Sequence, residues 1–354
     1  MSNHSIYLTV RSVKRETEDT ISITFQHPQK GLLQYKPGQY LTLISPGDSK
    51  SRRCYSLCTS PDADAFPAVA VKLILGGQMS TWLFDSLKEG DKLEVLEPMG
   101  NFVFEPKPDK RRHIMLFAAG SGVTPLMSIL KSALKTEPKS IVSLIYGNRF
   151  EHGIIFREEL DALQAQHPAR LRIVHCLTSP PEKWYGATGR ISEGMLGEIL
   201  DQLQPFPPAE DTLHYMCGPR GMMDAVISVL AARKVPKDRI YHESFFSDAP
   251  AIDFSAIAED EGIIAREVKV IYDDVESTFT VPPQNTILEA AQDLDIDLPY
   301  SCQSGLCTSC RGKCISGKVL MTETEGLSDS ELKEGYVLTC VSHPLTDNVV
   351  IEIG

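Results

Sequence analysis

Four cysteines, Cys302, Cys307, Cys310 and Cys340, stand at the spacing C-x4-C-x2-C-x29-C. Thiolates at that spacing suit a [2Fe–2S] cluster. Two irons and two sulfides need four thiolates, three from one tight loop and a fourth from a distant segment folded back onto it. The loop reads Tyr300-Ser301-Cys302-Gln303-Ser304-Gly305-Leu306-Cys307-Thr308-Ser309-Cys310. Gly305 lets its backbone come close to the cluster with no Cβ in the way. The alternatives are four buried structural cysteines or a zinc site, but zinc favours two short Cys-x-x-Cys knuckles and only one short pair is present. A cluster makes the chain a one-electron carrier, so the remaining residues must supply electrons.

Other groups with chemistry in them lie upstream. Arg53-Cys54-Tyr55-Ser56-Leu57 offers a guanidinium for a phosphate, a ring two residues on for stacking on a planar group, and a hydroxyl for a ring nitrogen. Gly76-Gly77-Gln78-Met79-Ser80 precedes an apolar run, and a glycine pair opening a helix presents backbone N–H groups to a phosphate. Each of these alone is equally consistent with an ordinary strand and an ordinary turn. Gly120-Ser121-Gly122-Val123-Thr124-Pro125 resembles a dinucleotide fingerprint in which Pro replaces the third Gly. The acid that would bind a ribose is expected about 20 residues further on. Gly147-Asn148-Arg149-Phe150-Glu151 stands there instead, with Arg149 where a 2′-phosphate could be met. That leans to NADPH, although a solvated arginine would look the same. Cys217-Gly218-Pro219-Arg220-Gly221-Met222-Met223 puts a thiol at a strand's carboxyl end, where ligands bind in open parallel sheets; a small buried cysteine is the alternative. Glu243-Ser244-Phe245 closes the region.

These groups need elements to hold them. Residues 1–106 read as short strands, Ile6 to Val13, Thr20 to Gln26, Tyr40 to Ile44 and Ala68 to Leu75, broken by Gly and Pro turns, which predicts a barrel or sandwich. From His113 the pattern changes to strand–helix alternation, with strands at His113 to Ala118, Ile141 to Tyr146, Leu171 to Leu177 and Thr212 to Cys217. That implies a parallel sheet covered by helices. Leu126, Ile129, Leu130, Ala133 and Leu134 share one helical face, with Thr124 expected as N-cap and Pro125 as the first helical residue. Residues 247–265 carry no Lys or Arg and read as a tether. Arg266 to Tyr272 and Thr278 to Val281 read as strands and Thr286 to Asp293 as a helix before the cysteine loop.

Composition narrows the function classes. The 354 residues suffice for two or three domains. The net charge of −12 is uneven: about +2 over residues 1–246, −5 over 247–265 and −9 over 266–354. Nucleic acid is excluded as a partner, because binding it needs a basic face. The acidic third suits either a positively charged protein partner or simple solubility. No apolar run is long enough to span a membrane. The first twenty residues read as neither signal nor transit peptide, and nine cysteines without one suggest a reducing, cytoplasmic setting.

Taken in order, R-x-Y-S, G-x-x-S, G-S-G-V-T-P, C-G-P-x-x-M-M, E-x-F and the four cysteines cover nearly the whole chain. This succession resembles the ferredoxin–NAD(P)H reductase superfamily with a C-terminal plant-type ferredoxin domain, most of all the reductase components of ring-1,2-phenylacetyl-CoA epoxidases and related oxygenases. The resemblance implies an antiparallel FAD-binding β-barrel over 1–106, an α/β Rossmann-like NAD(P)H domain over 107–246, a linker over 247–265 and an α+β, β-grasp ferredoxin domain over 266–354. It implies that Arg53 binds the FAD pyrophosphate, Tyr55 packs on the isoalloxazine, Ser56 bonds the flavin near N5, and Leu57 also binds the cofactor. Gly77, Gln78, Met79 and Ser80 would hold phosphate through backbone groups. Gly120, Gly122, Thr124 and Pro125 would cradle the dinucleotide, with Arg149, Gly218 and Pro219 beside it and Cys217 and Glu243 bordering the reaction centre. FMN replaces FAD in some relatives of the same domain order. Cys54, Cys58 and Cys314 have no assigned role.

The chemistry then requires a flavin in the middle. NAD(P)H delivers two electrons as hydride, a [2Fe–2S] cluster takes one at a time, and a flavin converts one currency into the other. The expected acceptor is a diiron or Rieske oxygenase, of the kind that epoxidises an acyl-CoA ring. A non-oxygenase metalloprotein such as a hybrid-cluster protein is the second possibility, and a redox-sensing binding module a third.

Overall fold

The computed structural model describes residues 5–29, 31–46, 48–203, 211–245 and 264–354. The tether expected over 247–265 lies outside the described residues, apart from Ile264 and Ala265. The chain divides into two compact units, one of which spans Ser5–Phe245 and the other of which contains the C-terminal third.

The first unit opens with strands β1 (Ser5–Thr17), β2 (Thr20–Phe25), β3 (Tyr40–Ser45), β4 (Asp48–Ser56), β5 (Ala68–Lys72), helix α1 (Gln78–Ser86) and β6 (Lys92–Met99). The strands form an antiparallel sheet in the order β4-β3-β6-β1-β2-β5. Leu57, just past β4, bridges Val69 of β5, and Cys58 N–H donates to Ala68 O at 2.9 Å, so the two edge strands meet and the sheet closes on itself. Closure leaves no open edge. Leu8, Val10, Ile23, Leu41, Leu43, Val69 and Val95 fill the interior.

The second sheet uses β7 (Arg112–Ala119), α2 (Val123–Thr136), β8 (Ile141–Asn148), α3 (Arg157–Gln166), β9 (Leu171–Leu177), β10 (Ala187–Thr188), α4 (Glu193–Gln202), β11 (Asp211–Cys217), α5 (Arg220–Ala232) and β12 (Ile240–Glu243). All six strands are parallel, in the order β10-β9-β8-β7-β11-β12. The order reverses beside β7, which creates a crevice at the carboxyl ends of β7 and β11.

Barrel and parallel sheet share one core. Phe102, Phe104 and Ala68 pack with Leu126, Ile129 and Tyr215 in a single buried cluster. Around it run polar locks: Ser128 Oγ donates to Thr59 O at 2.6 Å, Tyr215 Oη to Val103 O at 3.3 Å, and buried Lys131 meets Asp64 at 3.2 Å and Glu159 at 2.7 Å. Buried Arg112 is paired with Glu137 and also donates to Glu105 O at 2.9 Å. A buried pair like this adds little net energy but is costly to break, so it fixes the seam between the barrel and the sheet.

The C-terminal unit holds β13 (Arg266–Tyr272), β14 (Val275–Val281), α6 (Ile287–Asp293), β15 (Arg311–Ser316), β16 (Val319–Met321), α7 (Asp329–Lys333), β17 (Tyr336–Leu338), β18 (Ser342–Pro344) and β19 (Val349–Ile353). A mixed sheet ordered β14-β13-β19-β15-β17 grips α6, whose Ile287, Leu288 and Ala291 enter the core with Val268, Val270 and Ile351. Thr286 caps α6 in a reciprocal box with Glu289, as the Thr-x-x-Glu spacing predicts. Among the described residues no helix is long and apolar enough to cross a membrane.

Two expectations need correction. The strand expected to reach Leu75 stops at Lys72, because its partner β2 begins at Thr20, the residue opposite Lys72. Helix α2 starts at Val123 with Gly122 as N-cap, not at Pro125 with Thr124 as cap. A 3-10 turn over Gly120–Gly122 already carries the chain into the helix, and Thr124 Oγ1 turns back to donate to Ser121 O at 2.9 Å.

Candidate functional site

The barrel and the parallel sheet meet at Ser56 and Glu243. Ser56, the last residue of β4, is buried, and its Oγ donates to Glu243 Oε2 at 3.4 Å across 187 residues of sequence. Glu243 ends β12, directly beside Cys217 at the end of β11. Burial pushes the Glu243 carboxyl up to about 8, against the opposing pull of the Ser56 hydrogen bond. Burial, and then the neighbouring Glu243, hold the fully buried Cys217 thiol well above its ordinary value, so it is a neutral thiol. The three residues expected at the reaction centre are therefore brought together, as a hydroxyl, a carboxyl that titrates near neutrality and an un-ionised thiol.

On the barrel side, Arg53 is exposed and Tyr55 half-buried. The two point the same way because side chains along a strand alternate. Burial holds the Tyr55 hydroxyl well above its usual value, with Arg53 acting in the opposite direction, so the ring stays neutral. Leu57 departs from the expected role. Its side chain is fully buried in the barrel core and its N–H is taken by Gln39 O at 2.8 Å, which leaves no donor for a cofactor. Gly77 caps α1 in a tight turn: a Cβ there would lie 2.7 Å from Ser80 Oγ and 3.1 Å from Ile74 O. The Ser80 hydroxyl braces that turn by donating to Gly77 O and accepting from Ile74 N–H, both at 3.2 Å. Met79 is buried in the barrel. What Gln78, Met79 and Ser80 offer is the first-turn amides of α1, which have no partner inside the helix. A cleft of about 470 Å³ opens beside them, walled by Gly76, Gly77, Gln78 and Trp82. An arginine and a neutral ring on β4, and the unpartnered first-turn amides of α1 in the same barrel, are the groups a flavin dinucleotide needs.

In the parallel sheet, Gly120 takes a φ of +55°, and a Cβ on it would meet nothing within 4 Å, so the turn faces open space. Tyr146 Oη pins that turn by donating to Gly120 O at 3.0 Å, a contribution with no motif to announce it. Gly122 is the opposite case: a Cβ would lie 2.1 Å from Cys217 O and 2.9 Å from Gly218 N. Only glycine lets the start of α2 approach the end of β11. Thr124 and Pro125 are buried and shape the turn instead of facing the crevice. Gly218 lies against Ala119 and Met222, and Pro219 caps α5. Arg149 is exposed past the end of β8. This cradle fits a dinucleotide laid across the carboxyl ends of β7 and β11. Gly122→Ala is expected to cost about 1–3 kcal/mol by overpacking and to raise the KM for NAD(P)H, read by urea unfolding and steady-state kinetics; unchanged values would show that the turn can yield.

The C-terminal unit gathers the four cysteines expected to hold the cluster. Cys307, Cys310 and Cys340 are buried and Cys302 half-buried. Cys302 touches Cys307 and Cys340, and Cys340 touches Cys310, so the thiols form a chain of sulfur contacts. Hydrogen bonds from Cys307 and then Cys340 hold Cys302 far below its ordinary value, while Cys302 and then Cys310 push Cys340 far above. Four adjoining thiols cannot all ionise without positive charge among them, and a cluster's irons supply that charge. The contacts of Cys302 with Cys307 and of Cys340 with Cys310 offer two thiol pairs, the donor set a two-iron group takes. Gly305 has a φ of +73°, and a Cβ on it would strike Glu323 at 2.7 Å. Gly326 N–H donates to Gly305 O at 2.9 Å, and a Cβ on Gly326 would lie 2.8 Å from Cys307 O. Residues 323–326 thus brace the cysteine loop, a role that cysteine spacing alone does not reveal.

Comparison with known proteins agrees with this geometry. Residues 7–104 match the oxidoreductase FAD-binding domain, 116–227 the oxidoreductase NAD-binding domain and 270–345 the 2Fe-2S iron-sulfur cluster binding domain. The ferredoxin reductase component of 3-ketosteroid-9-alpha-monooxygenase from Rhodococcus rhodochrous is 38% identical over 99% of this chain and 97% of its own. A component of the 1,2-phenylacetyl-CoA epoxidase from Escherichia coli K12 is 35% identical over 98% of this chain and 96% of its own. The solved structure of phthalate dioxygenase reductase aligns with a TM-score of 0.62 at 25% identity, covering 99% of this chain and 98% of its own. With a closed flavin barrel, a parallel nucleotide sheet and a four-cysteine loop in that order, the chain belongs to the ferredoxin reductase family that couples FAD- and NAD-binding domains to a C-terminal [2Fe–2S] domain.

Proposed function

We propose that the chain is the NAD(P)H-dependent reductase component of an oxygenase, delivering single electrons from its [2Fe–2S] domain to a diiron or Rieske partner. The observation that carries the proposal is the convergence of Ser56, Cys217 and Glu243 where barrel and parallel sheet share a core. When bound, FAD takes an electron pair from the nicotinamide and the [2Fe–2S] cluster passes electrons on one at a time.

The chain's own residues supply position and electrostatics. Arg53 and the amides of Gln78, Met79 and Ser80 would hold the flavin phosphates, and Tyr55 and Ser56 would flank its ring. Gly120 and Gly122, with Gly218 and Pro219, would seat the nicotinamide dinucleotide so that its reactive end reaches Ser56. Glu243 holds its proton up to about pH 8 and keeps negative charge away from the centre below that point. Cys302, Cys307, Cys310 and Cys340 would ligate the cluster. The reading takes domain limits at 1–106, 107–246 and 266–354, with 247–265 as a connecting segment, and the separate extents of the three main sheets support the three domains. All nine cysteines are free, which suits a reducing compartment and a cytoplasmic location.

The oxygenase acceptor is supported by the two relatives named above, which are components of a monooxygenase and an epoxidase. Reconstitution tests it. With NAD(P)H and a purified oxygenase component, product should form only when the reductase is present. Electron delivery to a hybrid-cluster protein with none to any diiron or Rieske oxygenase would favour the non-oxygenase alternative.

A further inference from the structure

We propose that Lys131 is a positioning residue for hydride transfer: with Ser128 and Ser132 it clamps α2 to barrel loop 59–64 and so sets how the flavin side of the barrel meets the nucleotide crevice. This rests on the flavin and nucleotide roles given above to the barrel and the parallel sheet. Helix α2 is buried on every side over residues 123–134. Ser128, Lys131 and Ser132 are polar residues within that stretch, spaced i, i+3, i+4 and therefore on one face. Buried polar groups have to be partnered, and here the partners come from a single barrel loop. Ser128 Oγ donates to Thr59 O at 2.6 Å, Lys131 Nζ to Asp64 Oδ1 at 3.2 Å and Ser132 Oγ to Asp62 Oδ2 at 2.5 Å. The loop is itself braced: Ser60 N–H donates to Asp64 Oδ2 at 2.7 Å, Asp62 N–H to Ser60 Oγ at 3.1 Å and Ala68 N–H to Thr59 Oγ1 at 2.9 Å.

Both sides of the clamp lead to the reaction centre. Thr59 follows Ser56 by three residues. Helix α2 starts at the Gly122 cap, which lies against Cys217 because it has no Cβ. A shift of the loop along α2 would therefore change the separation of Ser56 from Cys217 and Glu243. Lys131 acts from about 12 Å along the helix from Val123. It is the charged member of the clamp. Burial works against its charge, but Glu159 and then Asp64 outweigh burial and hold the ammonium above its ordinary value. Glu159, at 2.7 Å, also brings α3 into the node, so one ammonium ties barrel, α2 and α3 together. Without it, two hydroxyls alone would hold the helix to the loop. Hydride transfer is sensitive to such slack, since a misplacement of about 1 Å costs on the order of 100-fold in rate. Dinucleotide affinity rests on the Gly120 and Gly218 turns, so the clamp should govern rate and leave affinity alone.

The test uses the full-length holoprotein in anaerobic stopped-flow with NAD(P)H, comparing wild type, Lys131→Met, Lys131→Arg and Asp64→Asn. Flavin content, the dissociation constant for NAD(P)+ and urea unfolding are measured on the same preparations. Lys131→Met should lower the saturating rate of flavin reduction roughly 10- to 100-fold. It should also weaken the long-wavelength charge-transfer absorbance of nicotinamide against flavin, with flavin content and NAD(P)+ affinity unchanged. Lys131→Arg should recover most of the rate. Asp64→Asn, nearly isosteric and leaving Lys131 paired with Glu159, should shift rate and absorbance in the same direction, and it decides the matter if Lys131→Met does not fold. Variants that lose stability while keeping the wild-type saturating rate and charge-transfer absorbance would overturn the proposal and leave Lys131 a structural residue. Rate and affinity falling together would overturn it as well. Wild type that binds no flavin, or oxidises neither NADH nor NADPH, would overturn the underlying reading too.

Discussion

Cys307→Ser is expected to abolish the cluster's visible absorbance and to stop electron delivery to a protein acceptor, while flavin-dependent ferricyanide reduction by NAD(P)H continues. Cys307 is 7% exposed and sits at one end of the chain of sulfur contacts through Cys302 and Cys340 to Cys310. A change outside the ligand set of a metal site already costs about 10–100-fold, and loss of a ligand should exceed that. The flavin half should survive, because Ser5–Phe245 forms its own compact unit around its own cores. Cluster content by visible circular dichroism and the two acceptor assays, run on the same preparation, check this. A retained cluster would remove Cys307 from the ligand set; loss of ferricyanide reduction as well would mean that the flavin site depends on the cluster domain.

Ser56→Ala should slow flavin reduction by NAD(P)H on the order of 100-fold, the usual cost of deleting one preorganised hydrogen-bonding group at a reacting centre, with flavin content unchanged. Glu243 adds a pH signature. Its carboxyl is protonated below about 8 and ionised above. An electron pair arriving next to it adds negative charge, which an ionised neighbour opposes. Flavin reduction should therefore fall as pH rises through about 8, and Glu243→Gln, neutral throughout, should lack that bend. Stability carries the same sign. The folded carboxyl titrates above its unfolded value, so its penalty is absent below the ordinary carboxylate range, grows as pH rises and is complete above about 8. Glu243→Gln should gain about 2 kcal/mol at pH 9, a figure reduced for the part of the residue open to solvent, and nothing at pH 4. Stopped-flow bleaching and urea unfolding across that range provide the measurements; an identical bend in the variant would place the titration elsewhere.

Legibility in the sequence follows how local each device is. The cysteine loop, the strand–helix alternation from Arg112 to Cys217 and the Thr286–Glu289 capping box depend on residues a few positions apart, and each can be read directly. Strand β4 is harder to see, because Ser, Lys and Arg fill it and only its pairing with β3 makes it a strand. Strands β15 to β19 are short or interrupted and depend on long-range partners such as β13 with β19. At the site, Ser56 and Glu243 are legible as motifs, whereas their contact at 3.4 Å is not, because it depends on the core shared by barrel and parallel sheet. Leu57 misleads because it lies just past the end of β4, where the bridge to Val69 carries its side chain into the barrel core. Tyr146 and Gly326 carry no motif. Their value comes from the turns they adjoin, namely Gly120 and the cysteine loop.

Electron flow from nicotinamide through flavin to the cluster is tested most directly by anaerobic stopped-flow absorbance of the full-length holoprotein mixed with NAD(P)H. Loss of the flavin band should depend on dinucleotide concentration and precede loss of the cluster band, which should follow at a rate independent of that concentration. Flavin-depleted protein should show no cluster bleaching. A cluster reduced equally fast without flavin, or a flavin reduced while the cluster stays oxidised, would contradict it.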